Sequence, residues 1–430
     1  MSKILDGCRP LLVGKTAVTV ALSGGGDSVA CLHILLKLSE ELGFSVGCAH
    51  FHHQIRGEEA DRDADFCRRL CQAWNVPLTM GTGDVPARAK ATGESLEEAA
   101  RQLRYQFFQG LGTSVATAHT ADDNLETLLL NLLRGTGLRG LCGIPPARDY
   151  LIRPILHMTK EDISAYLTEN NLPFMVDSTN FEGIALRNRL RSDVLPKLQV
   201  EQPSLAVKTL EMTARLREDE DFLNRLAMEH LARAQRDGWL DVPTLLKAEP
   251  PILHRILRYF LQENQVYHVR AQHILNFEGL LRCEKPSAVV KFPNLTLRRE
   301  YHKLLVGKPP NYTLEPRDVT PPFRVELPQG GWLICSENIP KQMKYLRINR
   351  EKLGIFCTIR PRLIGDSLQL PGGTKTVKAL MIDRKIPVTL RNCIPVLACG
   401  DQVVAVMELG VNVLFRPTNK ENTLYLYIER

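Results

Sequence analysis

Two clusters of side chains in this 430-residue chain combine residue types and spacing that could do chemistry. The first is Ser23-Gly24-Gly25-Gly26-Asp27-Ser28. At a strand–helix junction, such glycines let successive backbone amides turn toward one point without Cβ obstruction. The helix start adds partial positive charge, so the string suits an anionic phosphate. Ser23 and Ser28 add hydroxyl donors. Asp27 is an acid in a phosphate site, which makes sense if it orients the loop or meets a Mg2+ ion shared with the phosphates. Gly14-Lys15-Thr16 imitates the end of a different phosphate loop. The glycine that loop requires would stand at Arg9, and the tripeptide precedes the strand instead of following it. A dinucleotide fingerprint fails as well: no Gly-x-Gly-x-x-Gly opens the helix, and the second strand ends in His50, not in a ribose-binding carboxylate.

The second cluster is Thr117-Ala118-His119-Thr120-Ala121-Asp122-Asp123-Asn124-Leu125-Glu126-Thr127, running from a strand into a helix. Thr120 and Asp123 fit a capping box, and Leu125, Leu128, Leu129, Leu132 and Leu133 make an apolar stripe at helical spacing. Gly135 is a plausible stop. Asp123 and Glu126 then fall on one flank of the stripe, roughly 60° apart. Two carboxylates there, beside His119, suit a cationic substrate such as an amino acid. The plain alternative is that Asp122 and Asp123 only complement the helix dipole. A phosphate loop at the ends of parallel strands favours the ligand reading, because ligands in such sheets bind at those ends. His50-Phe51-His52-His53 closes the second strand and reads as a loop meeting nucleotide or substrate, since neighbouring strand side chains point to opposite faces and no fourth metal ligand is evident. Arg187 and Arg191, four apart, would present two guanidiniums together on a helix, a fit for phosphates.

These residues need a scaffold, and the pattern supplies one. Over roughly the first 200 residues, short apolar strands (18–22, 44–49, 76–80, 115–118) alternate with helical runs (29–38, 61–74) and with a helix opened by Ser95-Leu96-Glu97-Glu98, a capping box. Such alternation implies an α/β fold with a parallel sheet covered by helices on both faces. Residues 201–308 read as a mainly helical middle domain, with helical spacing over 205–226 and 252–261 and β-structure over 288–306. Prolines 309, 310, 316, 321 and 322 mark a linker over 309–322. Residues 323–430 are a small strand-rich domain, with strands expected at 332–335, 403–407, 413–415 and 424–428.

Charge is uneven. The chain is +7 overall, but residues 341–430 hold 15 basic and 7 acidic side chains, a net of +8, which leaves residues 1–340 at −1. A basic face of that kind suits a polyanion, nucleic acid first. No apolar run approaches the ~18 residues that span a bilayer, and the N-terminus lacks a signal peptide's pattern. The 11 cysteines are odd in number and form no Cys-x-x-Cys pair, so reduced, mostly buried thiols in a cytosolic protein are expected, not a zinc ribbon or an iron–sulfur centre.

The loop at 23–28 resembles that of the N-type ATP pyrophosphatases, which cleave ATP to AMP and pyrophosphate while adenylating an acceptor. Other segments narrow the resemblance to the tRNA(Ile)-lysidine synthases. They are residues 50–61, the run 95–105, 117–127, Arg134 to Leu141, Arg153-Pro154, Asp177-Ser178-Thr179-Asn180 and 187–191. Near the C-terminus, Arg360-Pro361-Arg362 to Gly365-Asp366 and Gly372-Gly373-Thr374-Lys375 to Ile386-Pro387 fit as well. The chain departs from the family pattern at three places: His52 stands where Asn is usual, Thr120 replaces a common second His, and the pair Asn124-Leu125 replaces a Gln-Ala-type pair.

The resemblance implies an adenine nucleotide alpha hydrolase-like catalytic domain over 1–200 and a tRNA-binding C-terminal domain over 323–430. It implies a ligase that adenylates C2 of the wobble cytidine of tRNA(Ile) with a CAU anticodon and lets the ε-amine of L-lysine displace AMP. Codon reading then changes from AUG to AUA, and charging from methionine to isoleucine. Ser23, Gly24, Gly25, Gly26, Asp27 and Ser28 would grip ATP, with Mg2+ arriving beside the phosphates near Asp27 and no metal fixed in the protein. Asp123, Glu126 and Arg104 would hold lysine. Asp27, His119, Asp123 and Arg187 would be catalytic. Arg191, Arg360, Arg362, Lys375, Lys378, Arg384 and Lys385 would meet tRNA. The family also implies cytoplasm and no membrane partner, and a homodimer stays open. A sulfur-inserting relative of the same ATP group is the alternative, weakened by the scattered cysteines; Cys67 and Cys71 read as helix packing.

Overall fold

Val18 and Val20 are buried while their strand neighbours are only half-buried, so the first strand offers its sheet two different faces. The structure, a computed structural model, describes residues 2–52, 58–175, 185–308, 312–354, 356–418 and 422–429. His53 and the Asp177–Asn180 motif lie outside the described residues, as do Pro309 and Pro310. The chain divides into two compact units, Met1–Phe222 and Leu223–Arg430.

The first unit runs α1 (Ser2–Cys8), β1 (Ala17–Ala21), α2 (Gly26–Leu42), β2 (Ser45–His52), α3 (Glu58–Ala73), β3 (Leu78–Thr82), α4 (Val85–Thr92) and α5 (Leu96–Gln109). It continues with β4 (Ser114–Ala116), α6 (Ala121–Leu133), α7 (Leu138–Leu141), β5 (Ala147–Arg148), β6 (Leu151–Ile152), α8 (Lys160–Glu169), α9 (Ala185–Arg189) and α10 (Leu195–Glu201). The sheet order is β3-β2-β1-β4-β6-β5, parallel except for the β5–β6 edge. Strands step one way from β1 to β3 and the other way from β4, so the order reverses between β1 and β4. A crevice forms beyond the strand ends at such a switch point.

Helices cover both faces, as the alternation predicts. Cys48, Ala116 and Ile152 pack with residues of α2, α3 and α8 on one side. Their strand neighbours Ala49, Val115 and Leu151 pack with Phe108 of α5 on the other. The apolar stripe on α6 holds only in part. Leu125 and Leu128 are buried, but Leu132 and Leu133 are exposed, because the last turn runs past the core before Gly135 ends it at φ 67°.

A 30-residue helix, α11 (Leu205–Ala234), carries the chain into the second unit. There β7 (Gln235–Arg236), β8 (Trp239–Asp241), α12 (Val242–Leu245), α13 (Pro250–Glu263), α14 (Ala271–Arg282), β9 (Ser287–Phe292), β10 (Leu295–Glu300) and β11 (Lys303–Val306) follow. The stretch holds more β-structure than its helical periodicity suggests: an antiparallel sheet of order β7-β8-β11-β10-β9 shares one core with α13 and α14.

Within the stretch expected as a linker, β12 (Arg317–Val319) pairs with β16 (Cys357–Arg360), so the strand-rich part begins before Pro321; β13 (Phe323–Glu326), β14 (Trp332–Ser336), β15 (Tyr345–Asn349), β17 (Ser367–Leu370), β18 (Gly373–Thr376) and α15 (Val377–Asp383) are its next elements. The chain ends with β19 (Val396–Cys399), β20 (Gln402–Val406), β21 (Gly410–Val411) and β22 (Thr423–Glu429). They form two antiparallel sheets and the β17–β18 hairpin around one core.

Two expectations change here. Residues 413–415 form a 3-10 turn, not a strand, because the Asn412 side chain caps it by accepting from the Leu414 N–H at 3.1 Å. Cys357 and Cys399, expected as thiols, are joined as a disulfide across adjacent strands β16 and β19, with Cα atoms 4.5 Å apart. The other nine cysteines are free, and eight of them are buried.

The two parts of this unit are tied by polar groups. The Tyr301 hydroxyl, just after β10, donates to the Ile386 carbonyl at 3.4 Å and accepts from Arg391 at 3.2 Å. Thr389 donates to buried Glu300 at 3.0 Å.

Candidate active site

A cavity of about 590 Å³ opens where β1, β2 and β4 end. On one side it is lined by Ser23, Gly25, Asp27 and Ser28, and on the other by Arg104, His119 and Asp123. Both clusters found in the sequence thus meet at the switch point.

The glycine loop is held by its own polar groups. Gly24 sits at φ 90°, open to glycine and strained for any other residue. Its carbonyl accepts from the Met175 N–H at 2.9 Å, which fastens the loop to the segment after α8. The Ser28 hydroxyl donates to the Gly25 carbonyl at 2.9 Å and accepts from the Ser23 N–H at 3.2 Å and the Ser23 hydroxyl at 3.1 Å. The serine hydroxyls therefore shape the turn. Asp27, in the first turn of α2, is ion-paired with Lys160 at the start of α8.

On the other side, the expected capping box forms and does more than cap. Asp123 Oδ2 accepts from the Thr120 N–H at 2.8 Å and the Thr120 hydroxyl at 2.9 Å, while the Asp123 N–H donates back to that hydroxyl at 3.4 Å. Burial pushes the Asp123 carboxyl up, but Lys160, the Thr120 hydrogen bonds and His119 together hold it below its ordinary value, so it is an anion. Thr120, standing where the family often has His, is the residue that fixes this carboxylate. Asn124, the other departure, is fully buried. It accepts from the Ile144 N–H at 2.8 Å and donates to Thr213 at 3.3 Å. His52, the third, lies 3.2 Å from Asp61. His50 is buried against the Leu22 carbonyl at 2.8 Å.

His119 lies 3.0 Å from the Thr117 hydroxyl through Nδ1. Burial, with help from Arg153 and Arg104, pulls its pKa down to about 4 against the pull of Asp123, so the imidazole is neutral at physiological pH. Protonation is easier in the unfolded chain, whose histidine titrates near 6.5. Stability is therefore complete above that value and is lost as pH falls toward 4. We expect up to about 3 kcal/mol to disappear over that window. A His119→Gln variant should show a flatter acid limb in melting temperature against pH, and an unchanged limb would contradict this burial account.

Glu126 is placed differently from Asp123. It is buried and does not line the cavity; its Oε1 is 2.7 Å from Arg191 Nε and its Oε2 3.3 Å from Arg187 Nε. The two arginines do come together across α9 and the π-helical turn after it, yet on a carboxylate instead of an open phosphate position. Arg191 also lies 3.8 Å from Asp123. Arg104 is on the cavity wall, where burial pulls its pKa down. Cys67, beneath the loop, has its thiol pushed up to about 12 by burial, which makes it a packing residue and a poor nucleophile.

Lys160 is the site residue that sequence reading missed. The signal lay in Thr159-Lys160-Glu161-Asp162, another capping box, which starts a helix after a strand and puts Lys160 at its first position.

Three family models match parts of the chain. A PP-loop domain model matches residues 2–198, a TilS substrate binding domain model 240–305, and a TilS substrate C-terminal domain model 357–428. Over 443 aligned residues the chain is 30% identical to a tRNA(Ile)-lysidine synthase of Caldanaerobacter subterraneus subsp. tengcongensis, covering 96% of this chain and 93% of the relative. The chain belongs to the tRNA(Ile)-lysidine synthase family. Another tRNA(Ile)-lysidine synthase, from Geobacillus kaustophilus, is 30% identical over 456 residues, covering 97% of this chain and 96% of its own.

In the segment matching the family's C-terminal domain, the basic residues differ in availability. Lys375, on β18, and Lys378, on α15, are exposed, as are Arg384 and Lys385 just after it. Lys375 pairs with Asp383 at 3.0 Å. Arg360, assigned to tRNA from the sequence, is instead half-buried and grips Asp366 with both terminal nitrogens, at 2.7 and 2.9 Å. Arg362 is half-buried. The side chains of Lys375, Lys378, Arg384 and Lys385 are open to solvent, Lys375 beside its Asp383 partner. Among the described residues, no helix is long and apolar enough to cross a membrane.

Proposed function

We propose that this chain is a ligase that uses ATP to attach L-lysine to C2 of the wobble cytidine in the CAU anticodon of tRNA(Ile), acting in the cytoplasm. One observation carries the reading: a phosphate-type loop and an anionic carboxylate face each other across a single cavity at the sheet's switch point.

ATP lies with its phosphates on residues 23–28, where backbone amides and the α2 terminus receive negative charge. A Mg2+ ion enters with the nucleotide. Among the described residues, no three His, Cys, Asp or Glu side chains gather into a metal cage. The lone Asp27 carboxylate at the loop fits an ion held mainly by phosphates and water. Its charge would ease departure of pyrophosphate from ATP as the C2 oxygen of the cytidine takes the adenylyl group; AMP then leaves when the amine attacks. Asp123 receives the lysine ammonium, and Arg104 on the same wall suits the amino acid's carboxylate. The ammonium must lose a proton before it attacks. Neutral His119 beside Asp123 can take a hydrogen bond from it without adding positive charge. Glu126 acts one step back, holding Arg191 next to Asp123 and Arg187 on its other oxygen.

The C-terminal basic face holds tRNA. Neutralising Lys375 and Lys378 together should weaken tRNA binding about tenfold near physiological salt and lower the salt slope by roughly one unit per lost contact. Filter binding across a salt series checks this, and identical affinities would remove that face from the interface. The function itself is tested by incubating the protein with ATP, radiolabelled lysine and transcripts of tRNA(Ile) and tRNA(Met) that both carry CAU. Label in the isoleucine transcript alone is expected. Label in neither, with ATP present, would reject the assignment.

A further inference from the structure

Lys160 makes two contacts that join the halves of the cavity. Its ammonium is ion-paired with Asp27, and its backbone N–H donates to Asp122 Oδ2 at 2.8 Å. The same ammonium is also close enough to help hold Asp123 in its anionic form. One cation thus faces carboxylates from the phosphate loop and from the start of α6. The pairing spans 133 residues of sequence, and both side chains are partly open to solvent, 43% for Lys160 and 33% for Asp27, so the contact can be broken without unpacking a core.

We propose that Lys160 is a resident counter-ion of the phosphate loop: it keeps a divalent ion off Asp27 while the nucleotide is absent, and moves onto the phosphates when ATP brings its own Mg2+. The inference rests on the ATP site described above. An ammonium and a divalent ion on one carboxylate repel each other, so each weakens the other's hold. Lys160 has a flexible four-carbon stem and three rotatable donors, so its head can exchange a carboxylate for a phosphate oxygen a few ångströms away. Arg191 feels Asp27 too, but its guanidinium is engaged by Glu126 and cannot play this part. Lys160 is accordingly a positioning residue, coupling metal entry to nucleotide entry.

The test uses the full-length protein and Mn2+ as an electron-paramagnetic probe, with and without ATP. Without nucleotide, the wild type should bind Mn2+ weakly. Lys160→Met should bind it about tenfold or more tightly, and adding Asp27→Asn to that variant should abolish the gain. Lys160→Arg, which keeps the charge, should bind Mn2+ as weakly as the wild type. In calorimetry without divalent ions, Lys160→Met should bind ATP about tenfold more weakly. Unchanged Mn2+ affinity in Lys160→Met, or an increase shared by Lys160→Arg, overturns the proposal. Wild-type protein that fails to bind ATP at all, with or without Mg2+, overturns instead the reading of the loop on which it rests.

Discussion

Asp123→Asn should abolish lysidine formation while leaving the protein folded. The charged Oδ2 accepts both the N–H and the hydroxyl of Thr120. An asparagine oxygen at the same place can accept both, so the helix start survives; the lost charge near the α6 dipole and Lys160 costs on the order of 0.3–1 kcal/mol. The ligand side is different. A lysine ammonium brought into a partly desolvated cavity loses its anion, and a charge-assisted hydrogen bond is worth about 1.5–3 kcal/mol before the penalty of an unpaired buried charge. At 1.4 kcal/mol per decade, lysine-dependent kcat/KM should fall by at least ~100-fold. ATP binding should change little. Melting temperature within a few degrees of wild type, with no label transferred to tRNA, is the expected pair of results. Full activity in this variant would remove the lysine-site assignment.

The second large effect is expected at Gly24. Its φ of 90° lies where a β-branched residue is a steric outlier. A Cβ there would also stand 3.3 Å from Phe66 Cδ1 and 3.6 Å from Cys67 Sγ. Gly24→Val must therefore turn the peptide away, at a backbone cost of roughly 1–2 kcal/mol if it does not. The turn moves the amides that face the phosphates and breaks the Gly24–Met175 hydrogen bond. Calorimetry should show ATP affinity reduced by about 100-fold, with far-ultraviolet circular dichroism preserved. An unchanged dissociation constant would mean that phosphate is not held by this loop.

How far the sequence foretold this site depends on how local each signal is. The loop at 23–28 and the box at Thr120–Asp123 are contiguous strings whose backbone geometry follows from glycine and side-chain capping, and both were legible. The parallel sheet was legible because buried strands and helices alternate with distinct periods. Glu126 was not, because helical spacing gives an angle on α6 and says nothing about Arg187 and Arg191, more than 60 residues away, which reach it. Lys160 was missed for the same reason: its partner Asp27 is far off in sequence. Arg360 misled because charge alone cannot distinguish an arginine that meets solvent from one gripping Asp366 six residues on. The β-rich part of 235–306 was underestimated because several of its strands are only two to four residues long, too short for a period to show.

The ties at Tyr301, Arg391, Thr389 and Glu300 bear on modularity. Two separate family models cover 240–305 and 357–428, as if each could be cut out or exchanged. Deleting everything after the proline-rich stretch would take away the Ile386 carbonyl that Tyr301 meets and the Thr389 hydroxyl that Glu300 accepts from. Glu300 would keep Arg298, at 2.6 Å, as its remaining cation and gain solvent on a side that is now closed. A shortened chain would therefore need compensating changes at residues 300 and 301 before it behaved as a well-folded fragment, and a chimera that swaps only the last segment inherits the same requirement.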